Sequence, residues 1–339
     1  MSARHILAKG ILALSASFSF MLYATELTVY TAIESDDLRK YAERFNQAHP
    51  DIKINWVRDS TGVITARLLA EKNNPRADVV WGLAATSLML LQDEGMLLPY
   101  SPKGIEKLSP KFKDRTQPTH WVGMDAWMAA ICFNTIEAKK HNLPMPTSWQ
   151  DLTKPVYRGH IVMPNPASSG TGYLDVSSWL QLFGEQQGWA YMDKLHANIK
   201  NYTHSGSRPC VHAATGETAI GISFAFRGAR EKQRGAPLEL IFPTEGVGWD
   251  MEATAIIAGT KQQQAAQTLV DWSISQAAME MYNEGYAIVA MPGIAKPVQY
   301  FPTNAESLLI DNNFQFAAAN RERILREWER RYDAKSEAK

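Results

Sequence analysis

Residues 27–31 have the sequence Leu-Thr-Val-Tyr-Thr, which is typical of a short β-strand, and they begin the pattern that decides the fold. A helix is predicted next, with Ser35 as its expected N-cap, because two acids fill its first turn and apolar residues recur at helical spacing. Two further strand–helix units follow at residues 52–71 and 78–94. The order βαβαβα predicts an α/β fold with a parallel sheet covered by helices.

A Pro- and Lys-rich stretch at residues 99–120 interrupts this rhythm and is predicted to be surface loop with short helical turns. A second alternating unit is predicted beyond it. Strands are expected at 127–134, 160–163, 218–223 and 253–258, and helices at 171–183, 189–199, around 211, at 224–234 and at 262–275. The charged end, residues 304–339, is predicted to be helical and to pack on the body of the protein.

The composition of the 339-residue chain fits a globular protein of two ordinary domains. Hydrophobic residues make up 45% and charged residues 21%, which is enough apolar material for a sizeable core. Lysine and arginine total 35, and aspartate and glutamate also total 35, so the net charge is zero. This balance argues against a dedicated nucleic-acid-binding protein.

The first 24 residues differ in character from the rest of the chain. Arg4 and Lys9 lead into a short apolar stretch that ends at Ala24, and no acid occurs before Glu26. This arrangement is typical of a secretory signal peptide, so residues 1–24 are predicted to be removed on export. A membrane anchor is the alternative, but serines interrupt an already short apolar run.

The two cysteines, Cys132 and Cys210, are too few for a zinc cluster or a disulfide framework. Export would place them in an oxidising compartment, where a bridge between them can form. Cys132 lies in the apolar run 129–133, which predicts a buried strand, and free cysteine is among the most buried residue types. We therefore expect two separate buried thiols, with a bridge as the alternative.

Three segments combine hydroxyl side chains with glycine at a predicted helix start. They are Asp59-Ser60-Thr61-Gly62, Ser168-Ser169-Gly170-Thr171-Gly172 and Ser205-Gly206-Ser207-Arg208. Each segment alone is also an ordinary N-cap. Together, in the crevice beyond the strand ends, they predict an anion site, because free N–H groups and the helix dipole favour negative charge there.

The sequence lacks the motifs of several other classes of functional site. The sequence has no Gly-Lys-Ser/Thr P-loop, no G-x-G-x-x-G after a strand and no G-x-S-x-G elbow, which disfavours nucleotide hydrolysis and serine hydrolysis. The histidines are scattered and none has metal-ligand spacing. Neither a metal nor a cofactor is expected.

The chain resembles a known family in its predicted signal peptide and in residues 27–32, 56–62 and 77–82. With the sequences LTVYTA, WVRDSTG and ADVVWG, the chain resembles the extracellular solute-binding proteins of bacterial ABC importers. Within that family it resembles the 2-aminoethylphosphonate-binding periplasmic proteins, in the group that includes ferric-ion-binding proteins. The resemblance covers essentially the whole mature chain.

This resemblance implies a periplasmic binding protein fold of type 2, with two lobes, each a helix-covered sheet, joined by crossing hinge strands. Residues 25–131 would form the first part of lobe 1 and residues 132–243 would form lobe 2. Residues 244–339 would supply the return crossover, the remainder of lobe 1 and the C-terminal helices. The ligand would lie between the lobes, and their closure around it would be a hinge motion.

One departure from the group concerns iron. Ferric-binding members hold the metal with an adjacent pair of tyrosines, at a site that matches Ser223-Phe224-Ala225-Phe226 in this chain. Phenylalanine has no oxygen to offer iron, so the sequence favours an organic anion.

The expected function is therefore a non-enzymatic, monomeric periplasmic protein that binds 2-aminoethylphosphonate and delivers it to a membrane permease. Another small anion, such as phosphate or a phosphorylated sugar, is the alternative, and a secreted enzyme on the same fold is a more distant one. The residues expected to bind the phosphonate are Thr31, Ser60, Thr61, Gly62, Ser169, Gly170, Thr171, Ser205 and Ser207. Those expected to bind the ammonium are Glu252, Glu34 and Trp81, with Trp249 as another aromatic candidate.

Overall fold

The computed structural model describes residues 24–338, so almost all of the predicted signal peptide lies outside the described residues. Its strands are β1 Thr25–Thr31, β2 Ile52–Arg58, β3 Val79–Ala84, β4 Val122–Asn134, β5 Ile161–Pro164, β6 Ile199–Thr203, β7 Ile220–Phe224, β8 Leu238–Ile241, β9 Trp249–Ile256 and β10 Ile288–Val289. Its α-helices are α1 Ser35–Ala48, α2 Thr61–Ala70, α3 Ala85–Asp93, α4 Thr135–Lys140, α5 Gly170–Phe183, α6 Glu185–Asn198, α7 Arg208–Thr215, α8 Ala225–Gln233, α9 Gln263–Ser273, α10 Gln276–Asn283, α11 Phe314–Ala319 and α12 Arg321–Tyr332. Short 3-10 turns occupy the loop at 99–120, as predicted.

The first lobe is built on β1, which pairs in parallel with β2 on one side and with β3 on the other. Its side chains Leu27 and Val29 are fully buried, because strands covered by helices on both faces bury their apolar residues. Strand β9 continues the sheet by pairing antiparallel with β3. The βαβαβα prediction for this part of the chain is therefore confirmed.

Strand β4 carries the chain from the first lobe to the second. Its first part pairs with β9, up to Met128, and its second part pairs with β7 and β8, from Ala129 onward. All thirteen residues of β4 are buried. The backbone N–H of Ala129 also donates to the carbonyl of Gly248, at 2.9 Å, where the returning chain enters β9. Strands β4 and β9 thus lie side by side where the lobes meet.

The second lobe has the strand order β4-β7-β5-β6, in which β5 pairs in parallel with both β6 and β7. The alternating unit predicted for this region is present, but short strands β6 and β8 were not predicted. The residue boundaries of the lobes at 131/132 and 243/244 stay predictions. The exchange of strand partners lies between Met128 and Ala129, a few residues before the predicted boundary at 131/132.

The expectation of two separate thiols is wrong. Cys132 on β4 and Cys210 on α7 form a disulfide, with their Cα atoms 5.3 Å apart. Each cysteine is buried, as predicted, but β4 and α7 pack against one another and bring the two sulfurs together. The predicted cap at Ser35 is also wrong: the helix already begins at Ser35, and the preceding Glu34 takes the cap position.

The C-terminal helices pack mainly on the second lobe. Trp328 of α12 lies edge-on against Tyr202 of β6, with the ring centroids 4.8 Å apart. The hydroxyl of Tyr332 donates to Asp193 of α6 at 2.7 Å. Helix α11 lies against α3 of the first lobe and therefore touches both halves of the molecule. Within residues 24–338, none of the helices has the length and apolar character needed to span a membrane.

Candidate functional site

A cavity with about 520 Å³ of empty space, part of it open to solvent, lies where the two lobes meet. Residues from the carboxyl ends of strands in both lobes line it, which is the usual position of ligands in open α/β sheets. The lining residues are Ala32, Glu34, Arg58, Ser60, Thr61, Gly82, Ala84, Trp127, Ser169, Gly170, Thr171, Ser205, Gly206, Phe224, Glu252 and Tyr286.

Helix α2 contributes hydroxyl groups to the cavity from the first lobe. Ser60 occupies its N-cap, in extended backbone, and Thr61 is its first residue. The Ser60 side chain makes no capping hydrogen bond to its own helix. The hydroxyl therefore stays available to a ligand, beside the backbone N–H groups that a helix start leaves unpaired.

Helix α5 contributes the matching residues from the second lobe. The Ser169 hydroxyl accepts a hydrogen bond from the N–H of Gly172 at 3.3 Å and so caps the helix. Thr171, in the first turn of α5, lines the cavity next to Gly170. A side chain at Gly170 would place its Cβ 2.6 Å from Oγ1 of Thr61, so glycine is required for the two helix starts to approach.

The third hydroxyl-rich segment lies against the second one. A Cβ at Gly206 would lie 2.6 Å from Oγ1 of Thr171. Ser205 lines the cavity. Ser207 lies outside the cavity lining, and its hydroxyl is hydrogen-bonded to the Ser205 hydroxyl at 2.8 Å. The structure thus brings the three predicted helix starts together around one cavity.

Arg58 adds a positive charge that the sequence reasoning did not assign to the site. It ends β2, lines the cavity, and donates from Nε to the carbonyl of Ile33 at 3.0 Å. In the sequence, the feature that could have assigned Arg58 to the site is its position directly before the Asp-Ser-Thr-Gly segment. We use the name anion subsite for Arg58, Ser60, Thr61, Ser169, Gly170, Thr171 and Ser205.

An acid and three aromatic rings line another part of the cavity. The rings belong to Trp127, Phe224 and Tyr286. Glu252 on β9 is only 9% exposed, and its Oε1 accepts a hydrogen bond of 3.2 Å from the Tyr286 hydroxyl. Its other oxygen, Oε2, has no hydrogen-bond partner within residues 24–338. Burial raises the pKa of Glu252 to about 8.

Glu34 lines the cavity but is already paired. Arg227 of α8 donates to its carboxylate, and a nitrogen of Arg58 lies 3.7 Å away. Because these two cations satisfy the charge, Glu34 is poorly suited to hold a ligand ammonium.

Three other predicted residues lie outside the cavity lining. Trp81 is fully buried in an aromatic cluster and donates from its indole nitrogen to Tyr282 at 3.0 Å, so no ring face is open to a ligand. Thr31 is fully buried, with its hydroxyl accepting from the N–H of Ile33. Gly62 donates instead to the carbonyl of Ser168 at 2.8 Å and so joins the lobes.

Aromatic side chains also occupy the positions where ferric-binding relatives were expected to have tyrosines. Phe224 lines the cavity, and Phe226 stacks on Tyr286 with the ring centroids 4.8 Å apart. The other aromatic candidate, Trp249, packs edge-on against Phe314 and donates to the carbonyl of Ile310. Across residues 24–338, we find no group of three or more His, Cys, Asp or Glu side chains placed to hold a metal ion.

Contacts between charged side chains join the lobes beside the cavity. Arg230 of α8 makes two hydrogen bonds to the carboxylate of Asp37 on α1, at 2.8 and 2.9 Å. Arg234 reaches Asp36 at 3.1 Å. At the Asp59 segment, His204 Nε2 of the second lobe lies 3.2 Å from the Asp59 carboxylate. The structure is therefore in a closed arrangement of the two lobes.

Comparisons with known proteins support this description. Among curated proteins, the chain is 31% identical over 305 residues to the "Probable ABC transporter periplasmic-binding protein y4fP" of Sinorhizobium fredii, covering 87% of this chain and 82% of the relative. The solved structure of the periplasmic binding protein AfuA from Actinobacillus pleuropneumoniae, with exogenous fructose-6-phosphate bound, is 30% identical with a TM-score of 0.86. That match covers 91% of this chain and 99% of AfuA.

A more distant relative is the "Putative 2-aminoethylphosphonate-binding periplasmic protein" of Salmonella typhimurium. It is 22% identical over 242 residues, which cover 69% of this chain and 68% of the relative. The family model described as bacterial extracellular solute-binding protein matches residues 74–320. This match spans most of the chain, and these relatives are solute-binding proteins rather than enzymes. The chain therefore belongs to the bacterial extracellular solute-binding proteins and is the solute-binding component of an ABC transporter.

Proposed function

We propose that this protein is exported to the periplasm, binds 2-aminoethylphosphonate as a monomer between its two lobes, and delivers it to a membrane permease. The observation that carries the proposal is the pairing of two unlike groups of side chains in one cavity. The anion subsite suits a phosphonate, because hydroxyl groups, helix N-termini and Arg58 all favour negative oxygens. Glu252, whose Oε2 has no hydrogen-bond partner among the described residues, suits the ammonium of the same ligand.

A phosphorylated sugar is the second candidate, and two observations favour it. AfuA, at 30% identity, holds fructose-6-phosphate in its solved structure. A Glu252 whose pKa is raised to about 8 also retains its proton near neutral pH, and a protonated carboxyl can donate a hydrogen bond to a sugar hydroxyl. The anion subsite would hold either phosphorus group, so the acidic part of the cavity decides between the candidates.

A thermal-shift panel on the mature protein tests the proposal. The panel contains 2-aminoethylphosphonate, ethylphosphonate, inorganic phosphate, fructose-6-phosphate and ferric citrate. A ligand that binds only the native state raises the melting temperature, so we expect the largest rise with 2-aminoethylphosphonate. A larger rise with fructose-6-phosphate would favour the second candidate. An iron-dependent absorption band in the visible would contradict both.

A further inference from the structure

Two acids face each other on neighbouring strands next to the cavity. Asp125 of β4 is the direct register partner of Glu252 on β9. Side chains at directly opposed positions of an antiparallel pair lie on the same face of the sheet, with Cβ atoms about 4.5–5.5 Å apart. The two carboxyl groups are therefore neighbours, and only Glu252 reaches the cavity lining.

This acid pair is almost completely unpartnered. Asp125 is fully buried, and neither of its carboxylate oxygens has a hydrogen-bond partner in the described part of the chain. Of the four oxygens in the pair, only Oε1 of Glu252 accepts a hydrogen bond from residues 24–338, and its donor is the Tyr286 hydroxyl. A buried carboxylate without donors is unstable in its charged form.

The surroundings of the pair supply further acids and phenols. The phenols are those of Tyr41, Tyr282 and Tyr286. All three are buried, and the charges of Asp125 and Glu252 add to the burial that raises the pKa of each. Glu34 and Asp37 also face the pair, but they are bound by Arg227 and Arg230 respectively. Within residues 24–338 no Lys, Arg or His forms a salt bridge with Asp125 or Glu252.

Two negative charges this close, in a buried site without a counter-ion, cannot both persist. We propose that Asp125 and Glu252 hold a shared proton in the ligand-free protein and that a ligand ammonium bound at Glu252 displaces this proton into solvent. The second half of this inference rests on the proposed function. Burial, and for Asp125 the nearby charge of Glu252, raise the pKa of both carboxyl groups and support the same conclusion.

The proton balance differs between ligand classes. An ammonium enters with its own positive charge, so the carboxyl O–H bond breaks and one proton passes to the buffer. A neutral hydroxyl group brings no charge, so the shared proton stays in place. Proton release therefore reports which kind of group occupies the acidic part of the cavity.

Infrared spectroscopy of the ligand-free protein tests the shared proton. We expect the wild type at neutral pH to show the carbonyl stretch of a protonated carboxyl that the double variant Asp125→Asn/Glu252→Gln lacks. Asp175 on α5 is also buried, without a hydrogen-bond partner among residues 24–338, and burial raises the pKa of its carboxyl, so Asp175→Asn identifies its separate contribution to the band. An unchanged carboxyl band in a folded double variant would overturn the inference.

Calorimetry of the wild type, in two buffers of different ionisation enthalpy, tests the displacement and needs no variant. We expect 2-aminoethylphosphonate to release about one proton more per ligand than ethylphosphonate, once the protons that each free phosphonate must itself lose to bind as a dianion, known from its own titration, are subtracted. Equal proton release with both ligands bound would overturn the displacement. If 2-aminoethylphosphonate does not bind but the infrared band is present, the proposed ligand and its displacement of the proton are refuted while the shared proton is confirmed.

Discussion

Ser60 and Thr171 present hydroxyl groups from opposite lobes to the anion subsite. We expect Ser60→Ala and Thr171→Ala each to weaken ligand binding by about 1–3 kcal/mol, the range for losing a hydrogen bond to a charged group. Isothermal titration calorimetry measures the change.

Ser275→Ala is the matched control for these variants. Like them, Ser275 lies at the start of a helix: its hydroxyl caps α10 by accepting from the N–H of Ala278 at 3.2 Å, but it lies outside the cavity lining. Its loss should cost about 1 kcal/mol of stability and leave ligand affinity unchanged. Wild-type affinity in both Ser60→Ala and Thr171→Ala would refute the assignment of the anion subsite.

The two acids that line the cavity should respond differently to substitution. Glu252→Gln should weaken binding of 2-aminoethylphosphonate by about 2–5 kcal/mol and change ethylphosphonate binding far less, because only the former carries an ammonium. Glu34→Gln should affect both ligands alike, since Glu34 serves Arg227 and Arg58. Titrations of both ligands into both variants check this. The reverse pattern would place the ammonium at Glu34.

At the scale of residues, the sequence was sufficient to select most hydroxyls of the cavity, because helix starts after strands converge at one sheet edge. It could not show that Trp81 points into an aromatic cluster or that Glu34 meets an arginine 193 positions away. Both outcomes depend on tertiary packing. The acid pair could not be predicted from the sequence either, because Asp125 and Glu252 become neighbours only when β4 pairs with β9.

Helices α1 and α8 form a charged contact between the lobes. The Arg230–Asp37 pair is bidentate, and the Asp37 side chain is only 8% exposed. Because this contact exists when the lobes are closed, Arg230→Ala should shift the protein toward an open form and weaken ligand binding about three- to tenfold. Ligand affinity, measured by calorimetry, checks the prediction.

Arg326→Ala is the control for this contact. Arg326 pairs with Glu322 on the exposed face of α12, and this pair makes no contact between the lobes. It should leave affinity unchanged. If Arg230→Ala behaves like the control, α8 does not contribute to closure.

The disulfide joins β4 to α7 inside the second lobe and closes a loop of 78 residues. Cys132→Ala/Cys210→Ala should therefore lower the free energy of unfolding by about 2–5 kcal/mol, since the bridge restricts the unfolded chain. Chemical denaturation measures this change. Neither cysteine lines the cavity, so ligand affinity should be retained. An unfolding free energy equal to that of the oxidised wild type would contradict the prediction.

At the scale of elements, the long alternating segments were predictable because their periodicity is strong. The short strands β6, β8 and β10 were missed, since strands of two to five residues give little periodic signal. The disulfide was missed because Cys132 lies in the apolar run 129–133 of β4, where a buried free thiol is equally compatible with the sequence.

At the scale of the whole molecule, β4 and β9 cross together between two helix-covered lobes. The cavity lies at this junction, so closure brings Ser60 and Thr61 of the first lobe toward Ser169 and Thr171 of the second. A ligand that contacts both lobes stabilises the closed arrangement. The permease of an importer can then distinguish the closed, ligand-loaded protein from the open one.

The most direct test of the two-part cavity is a crystal structure of the mature protein with 2-aminoethylphosphonate. The account predicts phosphonate oxygens within hydrogen-bond distance of Ser60 and Thr171, and the ammonium within hydrogen-bond distance of Glu252. A ligand bound in the reverse orientation, or outside the cavity between the lobes, would contradict it.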